Sequence, residues 1–132
     1  MKKHFFIIDD DEEDVTLFIE AIRLLNPEYK CSWVSSGGQA LMQLPHIIPD
    51  LIFVDYHMPC MNGLECIKAI KELPSCRSIP IVLHSTKMAS DIREKGLGLG
   101  AAVCMHKPES PQQLTHFINA FVQQCTLLES YI

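Results

Sequence analysis

Two hydrophobic patterns alternate along this chain. Short runs of four or five largely apolar residues are separated by stretches whose apolar residues recur every three or four positions. The runs are His4-Phe5-Phe6-Ile7-Ile8, Leu51-Ile52-Phe53-Val54, Ile81-Val82-Leu83-His84 and Val103-Cys104-Met105-His106. Such runs read as strands buried on both faces, as in a parallel sheet. They predict strands over about 4–9, 50–55, 80–85 and 102–107, and a further strand at about 30–34 carries Cys31, Trp33 and Val34. The periodic stretches predict helices. One spans about 12–25, with Val15, Phe18, Ile19, Ile22 and Leu25 on a stripe that Asn26-Pro27 stops. A short one follows Ser35-Ser36-Gly37-Gly38 and runs through Leu44 to Pro45. The next opens at Met61-Asn62-Gly63, carries Leu64, Ile67, Ile70 and Leu73, and ends at Pro74. A poor one covers about 88–97. In the last, Ser110-Pro111 caps a stripe of Leu114, Phe117, Ile118, Phe121, Val122 and Cys125.

Five strand–helix units without repeat or linker predict one α/β domain. The expected fold is a doubly wound, five-stranded parallel sheet of flavodoxin-like (βα)5 type, strand order 2-1-3-4-5. The domain is expected over 1–126, with a short tail at 127–132. The fourth helix is the weak one. Gly96, Gly98 and Gly100 cluster at its end, and only Ile92, Leu97 and Leu99 can anchor it. An interior Gly costs about 1 kcal/mol relative to Ala, so this helix is expected to be a low-stability element suited to switching.

Bulk composition narrows the function classes. The formal net charge of -5 leaves no basic footprint for direct nucleic-acid binding. No apolar run approaches the ~18 residues of a membrane span, and Asp9 interrupts the signal-like start. A cytoplasmic protein is expected. The six cysteines form no C-x-x-C pair and the six histidines are scattered, so reduced thiols are expected rather than a zinc site.

The chemistry sits at the ends of the apolar runs. Asp9-Asp10, Asp55, Ser85 and Lys107 each follow one of them. Ligands of open α/β sheets bind beyond the carboxyl ends of the strands. An acid pair, a lone Asp, a hydroxyl and an amine should therefore meet at one edge, a set suited to a magnesium-assisted phosphoryl group. Residues 9–14 are all acidic. A dipole-favoured helix start accounts for Glu12, Glu13 and Asp14. It does not account for Asp9 and Asp10, whose crowded carboxylates call for a counter-charge such as Mg2+. Asp55, after a run apolar on both faces, needs a partner, and Lys107 is the plausible one. Trp33 lies on another strand and is expected to report poorly on this edge.

These residues carry a resemblance. Ile7-Ile8-Asp9-Asp10-Asp11, the block Pro49-Asp50-Leu51-Ile52-Phe53-Val54-Asp55-Tyr56-His57-Met58-Pro59-Cys60-Met61-Asn62-Gly63, Ile79-Pro80-Ile81-Val82-Leu83-His84-Ser85, Gly100-Ala101 and Lys107-Pro108 resemble the receiver domain of two-component response regulators, over about 3–125. The Glu12-Glu13-Asp14 start and Ser78-Ile79-Pro80 are more faintly similar to single-domain receivers of the phytochrome-kinase type. The resemblance implies a stand-alone response regulator that takes a phosphoryl group on Asp55 from a histidine kinase or histidine phosphotransfer protein. Asp10 and Asp9 would bind Mg2+, with Asp55 and the His57 carbonyl. Ser85 would bond the phosphoryl oxygens and Lys107 would neutralise their charge. Lys107-Pro108 would be cis, and His57 and Lys87 would flank the attacking water that ends the signal.

No output domain is evident in 132 residues. The resemblance therefore implies a downstream protein target or onward phosphotransfer, through a face of fourth helix, fifth strand and fifth helix that also suits a homodimer. Three departures bear on signal relay. Cys104 replaces a frequent aromatic, His84 an apolar residue and Glu109 a frequent Phe.

Other readings compete. Asp9-Asp10-Asp11 also suits a haloacid-dehalogenase-type phosphatase, with Asp9 as nucleophile and Asp11 as acid/base. That family needs a further acidic motif after the lysine, where only Glu109 and Glu129 stand. A phosphorylation-independent interaction module would not require all five site side chains. A flavodoxin would need a phosphate-binding loop where Asp9–Asp14 lies.

Overall fold

The structure is a computed structural model that describes residues 2–130, with side chains described for 2–123. In it the two sequence periods become alternating strands and helices. The order is β1 (His4–Ile8), α1 (Glu12–Leu25), β2 (Lys30–Val34), α2 (Gly37–Gln43), β3 (Leu51–Asp55), α3 (Gly63–Glu72), β4 (Ile81–Ser85), α4 (Ser90–Leu99), β5 (Val103–His106) and α5 (Pro111–Ser130). Pro45 and Pro74 do not simply stop α2 and α3, because each opens a 3-10 turn, Leu44–His46 and Pro74–Cys76. All strands pair in parallel, in the expected order β2-β1-β3-β4-β5. The boundary expected after 126 falls inside α5, and residues 131 and 132 lie outside the described residues. Among the described residues no helix is long and apolar enough to cross a membrane.

Strand alternation divides the core into two layers. Phe5, Ile7, Leu51, Phe53 and Val82 face α1 and α5, where Val15, Phe18, Ile22, Leu114 and Ile118 cover them. Phe6, Ile8, Ile52, Val54, Leu83 and Cys104 face the other way, against Ile67 and Ile70 of α3. β3 and β4 are buried along their whole length. The helix ends follow from local chemistry. The Asp11 side chain caps α1, and Asn62 with Glu65 forms a capping box on α3. Asp11 therefore spends its carboxylate on the Glu13 amide (2.9 Å), which leaves it poorly suited to the acid/base role of a phosphatase.

One expectation needs correction here. No cis peptide bond occurs among the described residues, so Lys107-Pro108 is trans. Trans is the intrinsically preferred isomer of an X-Pro bond, by about 0.5–1 kcal/mol. In the fourth helix, two of the clustered glycines have structural roles. Gly100 ends it in a left-handed conformation (φ 111°), as a helix C-cap requires. Gly96 is a packing residue, because a Cβ there would stand 2.8 Å from Cys104 Sγ and 2.9 Å from Leu83 Cδ2. Arg93 and Cys104 bond reciprocally, guanidinium to carbonyl and thiol to carbonyl, which ties α4 to β5. Weakness persists at the start of the helix, where Ala89 supplies no side-chain cap.

The two glycines of α4 should therefore respond oppositely to alanine. Nothing lies within 4 Å of a Cβ at Gly98, so Gly98→Ala should stabilise the protein by about 0.5–1 kcal/mol in urea unfolding. Gly96→Ala should destabilise it, because the added methyl forces α4 off Cys104 and Leu83. Equal effects would refute the flush seating of α4.

Candidate functional site

The parallel register decides which side chains meet. Ile8 pairs with Val54 and Asp55 with His84, so Asp9, Asp55 and His84 fall in one row across the carboxyl edge of the sheet. Alternation turns all three toward the face covered by α1 and α5. Lys107, two residues beyond Met105, turns to the same face. The row caps the apolar layer beneath it, and Asp9, Asp55 and His84 are all buried.

Each acid is held by backbone. Asp9 Oδ1 accepts from the Asp11 amide at 2.9 Å, and its own amide donates to the Val34 carbonyl at 3.1 Å. Asp55 ends β3, and the chain turns at once into a loop closed by Gly63 N donating to Tyr56 O at 2.9 Å. Inside that loop Cys60 adopts a left-handed φ of 69°. The carbonyl of Asp55 would stand 2.8 Å from a Cβ at position 63, so glycine is needed for the close approach.

Lys107 is the hub. Its ammonium stands 3.3 Å from Asp55 Oδ1 and 3.6 Å from Asp9 Oδ2, and it hydrogen-bonds Asp14 Oδ2. Asp9 Oδ2 and Asp55 Oδ1 have no hydrogen-bond partner among the described residues, and both lie within ion-pair distance of this cation. Three carboxylates around one ammonium leave the pocket short of positive charge. Burial pushes Asp9 up to about 7, and Asp55 adds to the rise against the Asp11 amide and Lys107. Burial also raises Asp55, opposed by Lys107 and the His57 amide. For Lys107, burial works against the charged form, but the Asp14 hydrogen bond and the charges of Asp9 and Asp55 prevail and hold its pKa up.

The remaining expected residues lie around this hub. Asp10 is exposed at the rim, where its charge adds to the rise at Asp55. Ser85 is buried, and its hydroxyl donates to the Lys87 carbonyl at 3.3 Å. Its own carbonyl accepts from the Lys107 amide at 2.7 Å, which ties the two strand ends together. His57 and Lys87 are exposed on the two loops beside the site. The fit to a cation is good, because two buried carboxylate oxygens lack hydrogen bonds and a third acid stands at the rim.

Three participants escaped sequence reasoning. Asp14 is no mere helix-start charge, since it holds Lys107. Phe18 and Ile22 at four-residue steps mark the buried face of α1, and Asp14 continues that file toward the sheet edge. Trp33 is closer to the site than its strand suggested, because its indole N–H donates to the Asp9 carbonyl at 2.7 Å. His84 lies wholly buried, 5.1 Å from the Phe18 ring centroid, and neither ring nitrogen has a hydrogen-bond partner. Burial, assisted by Lys107, drives its pKa down to about 3. Parity with Asp55 across β3 and β4 was the available signal. Among the described residues Cys66, Cys76 and Cys104 are buried as free thiols, Cys31 is half-buried and Cys60 is exposed; the side chain of Cys125 lies outside the described residues.

A five-stranded parallel sheet with acids, a hydroxyl and a lysine at its carboxyl edge defines a class of phosphoryl-handling α/β domains. The family model for the response regulator receiver domain matches residues 5–119, and the chain belongs to that family. It is 33% identical over 108 residues to the response regulator PleD of Caulobacter vibrioides, covering 82% of this chain and 23% of that protein. It is 28% identical to the two-component response regulator ORR3 of Oryza sativa subsp. indica, covering 92% of each. The phosphorylated cyanobacterial phytochrome response regulator RcpA superposes with a TM-score of 0.81 at 25% identity, over 92% of this chain and 91% of that one. The chain spans only 23–29% of the first curated relatives it matches.

Two buried groups set opposite pH trends in the metal-free protein. His84 is harder to protonate folded than unfolded, so its contribution to stability is lost as pH falls from about 6.5 toward 3. Asp9 is easier to protonate folded, so its contribution is lost as pH rises from about 4 to 7. Between pH 5 and 7 the wild type should gain about 2 kcal/mol relative to His84→Leu. Urea unfolding in chelator at the two pH values measures this, and parallel curves would refute a neutral buried imidazole.

Proposed function

We propose that this receiver domain accepts a phosphoryl group on Asp55 from a phosphohistidine donor. Asp55 is the last residue of the central strand β3 and holds an unbonded oxygen 3.3 Å from the Lys107 ammonium, whereas Asp9 gives one oxygen to the Asp11 amide and lies farther from Lys107, at 3.6 Å; that observation carries the assignment. Asp55 Oδ1 attacks phosphorus, an O–P bond forms, the donor P–N bond breaks and imidazole leaves. Phosphoryl transfer asks mainly for positioning and charge neutralisation. Lys107 turns from its carboxylates toward the phosphoryl oxygens, and the Ser85 hydroxyl exchanges the Lys87 carbonyl for one of them. Asp9, Asp10, Asp55 and the His57 carbonyl would hold Mg2+, which supplies positive charge to the acid cluster and the phosphoryl oxygens when bound.

A histidine kinase or histidine phosphotransfer protein fits as donor. The acyl phosphate would shift a two-state equilibrium whose output face is α4, β5 and α5. Ser85 moving from Lys87 loosens the loop into α4. Cys104 is too small to relay a large rotation, which leaves repacking of α4 on Gly96 and the Arg93–Cys104 bonds as the route.

Acetyl phosphate with Mg2+ should add one phosphoryl group, seen by intact mass, and Asp55→Asn should lose it. Persistent stoichiometric labelling of Asp55→Asn would sink the assignment. Among the other acids, Asp10→Ala should weaken Mg2+ binding. Asp11→Ala should spare that binding and instead cost about 1 kcal/mol of stability through its lost helix cap. NMR titration and urea unfolding separate the two, and equal losses of Mg2+ affinity would contradict the geometry.

A further inference from the structure

The row at the sheet edge contains a donor that an all-oxygen magnesium set does not need. His84 is fully buried, and both ring nitrogens lack a partner. One of those nitrogens and one oxygen each from Asp9 and Asp55 lie within 4.8 Å of one another. The pleat aims all three at the same point, because Asp55 and His84 are register partners and Asp9 continues β1 in the same row. The other groups facing this point are Lys107 from β5 and, behind it, Asp14 from α1.

We propose that Asp9, Asp55 and His84 form a mixed oxygen–nitrogen site for a borderline divalent transition ion of the zinc type. The inference rests on the reading of Asp9 and Asp55 as cation-binding carboxylates. Imidazole and carboxylate together favour such ions, whereas Mg2+ prefers oxygen and water. His84 meets the requirement for a neutral ring without a partner to surrender. Lys107 has somewhere to go when an ion takes its two shared acids, because Asp14 bonds it independently. The charge balance also agrees, since a dication offsets the two carboxylates it displaces from the lysine. The consequence is regulatory. An ion of this type engages the carboxylate of Asp55 and withdraws it from phosphoryl acceptance, where Mg2+ supports it.

The test uses the full chain carrying Cys60→Ser, because the exposed Cys60 thiol would otherwise capture zinc. Calorimetric titration with Zn2+ and, separately, with Mg2+ gives the affinities at neutral pH. The 15N resonances of the His84 ring report whether nitrogen is ligated. Zn2+ should bind more tightly than Mg2+, shift a His84 ring nitrogen, and abolish labelling by acetyl phosphate. His84→Leu should lower Zn2+ affinity by more than the roughly 10–100-fold that loss of a mere outer-shell partner costs. Should that variant fail to fold, the wild-type ring resonances decide alone. Zn2+ binding that leaves the His84 nitrogens unmoved overturns the proposal, as does the absence of Zn2+ binding. Mg2+ binding in either of those cases leaves the reading of Asp9 and Asp55 intact, while loss of both cations removes that reading as well.

Discussion

One ammonium group facing three carboxylates sets the terms for this molecule. Among the described residues Lys107 alone pairs with Asp9, Asp14 and Asp55, two of which are buried. Buried charge is tolerated when paired and costly when not. A pocket with a deficit of positive charge favours whatever brings more, and a divalent cation does so. Under the proposed phosphorylation, the added negative charge would call on both the cation and Lys107. The polar edge of the sheet therefore works as a charge balance, and its acids carry raised pKa values chiefly because they are buried, with neighbouring carboxylates adding to the rise and Lys107 opposing it.

The apolar layers make this imbalance possible. Phe18 and Phe53 pack at a 4.8 Å centroid distance directly under the row, and His84 lies against both rings. They keep water from the inner side of the pocket, so screening is weak and interactions between the charges are strong. The backbone fixes the acids before any ligand arrives. Asp9 is held through its own carbonyl, amide and Oδ1, by Trp33, Val34 and Asp11. Such preorganisation is what phosphoryl chemistry requires of a protein.

A different contact seats α4 on the sheet. Cys104 brings β5 and α4 into close contact through Gly96, and Arg93 clasps the same residue. The uncapped start of α4 lies just beyond the loop whose Lys87 carbonyl receives the Ser85 hydroxyl. The Gly96 contact secures the other end of the helix.

Much of the fold was legible in the chain. Unbroken apolar runs mean strands buried on both faces, and alternation with helical stripes leaves a doubly wound sheet as the economical solution. Asp9, Asp55, Ser85 and Lys107 could be named because strand ends of a parallel sheet share one edge. The roles of Asp14, Trp33 and His84 depended on quantities that a linear pattern does not contain. Asp14 meets Lys107 only because α1 crosses the sheet at one particular height. The Trp33 indole reaches Asp9 through the β1–β2 register. His84 becomes a buried, unpartnered donor because β3 and β4 pair in the one register that sets it beside Asp55. A shift of one residue would have turned it to the opposite face, away from the acids. Local sequence therefore determined which groups reach the edge, while strand register and helix docking decided which of them touch.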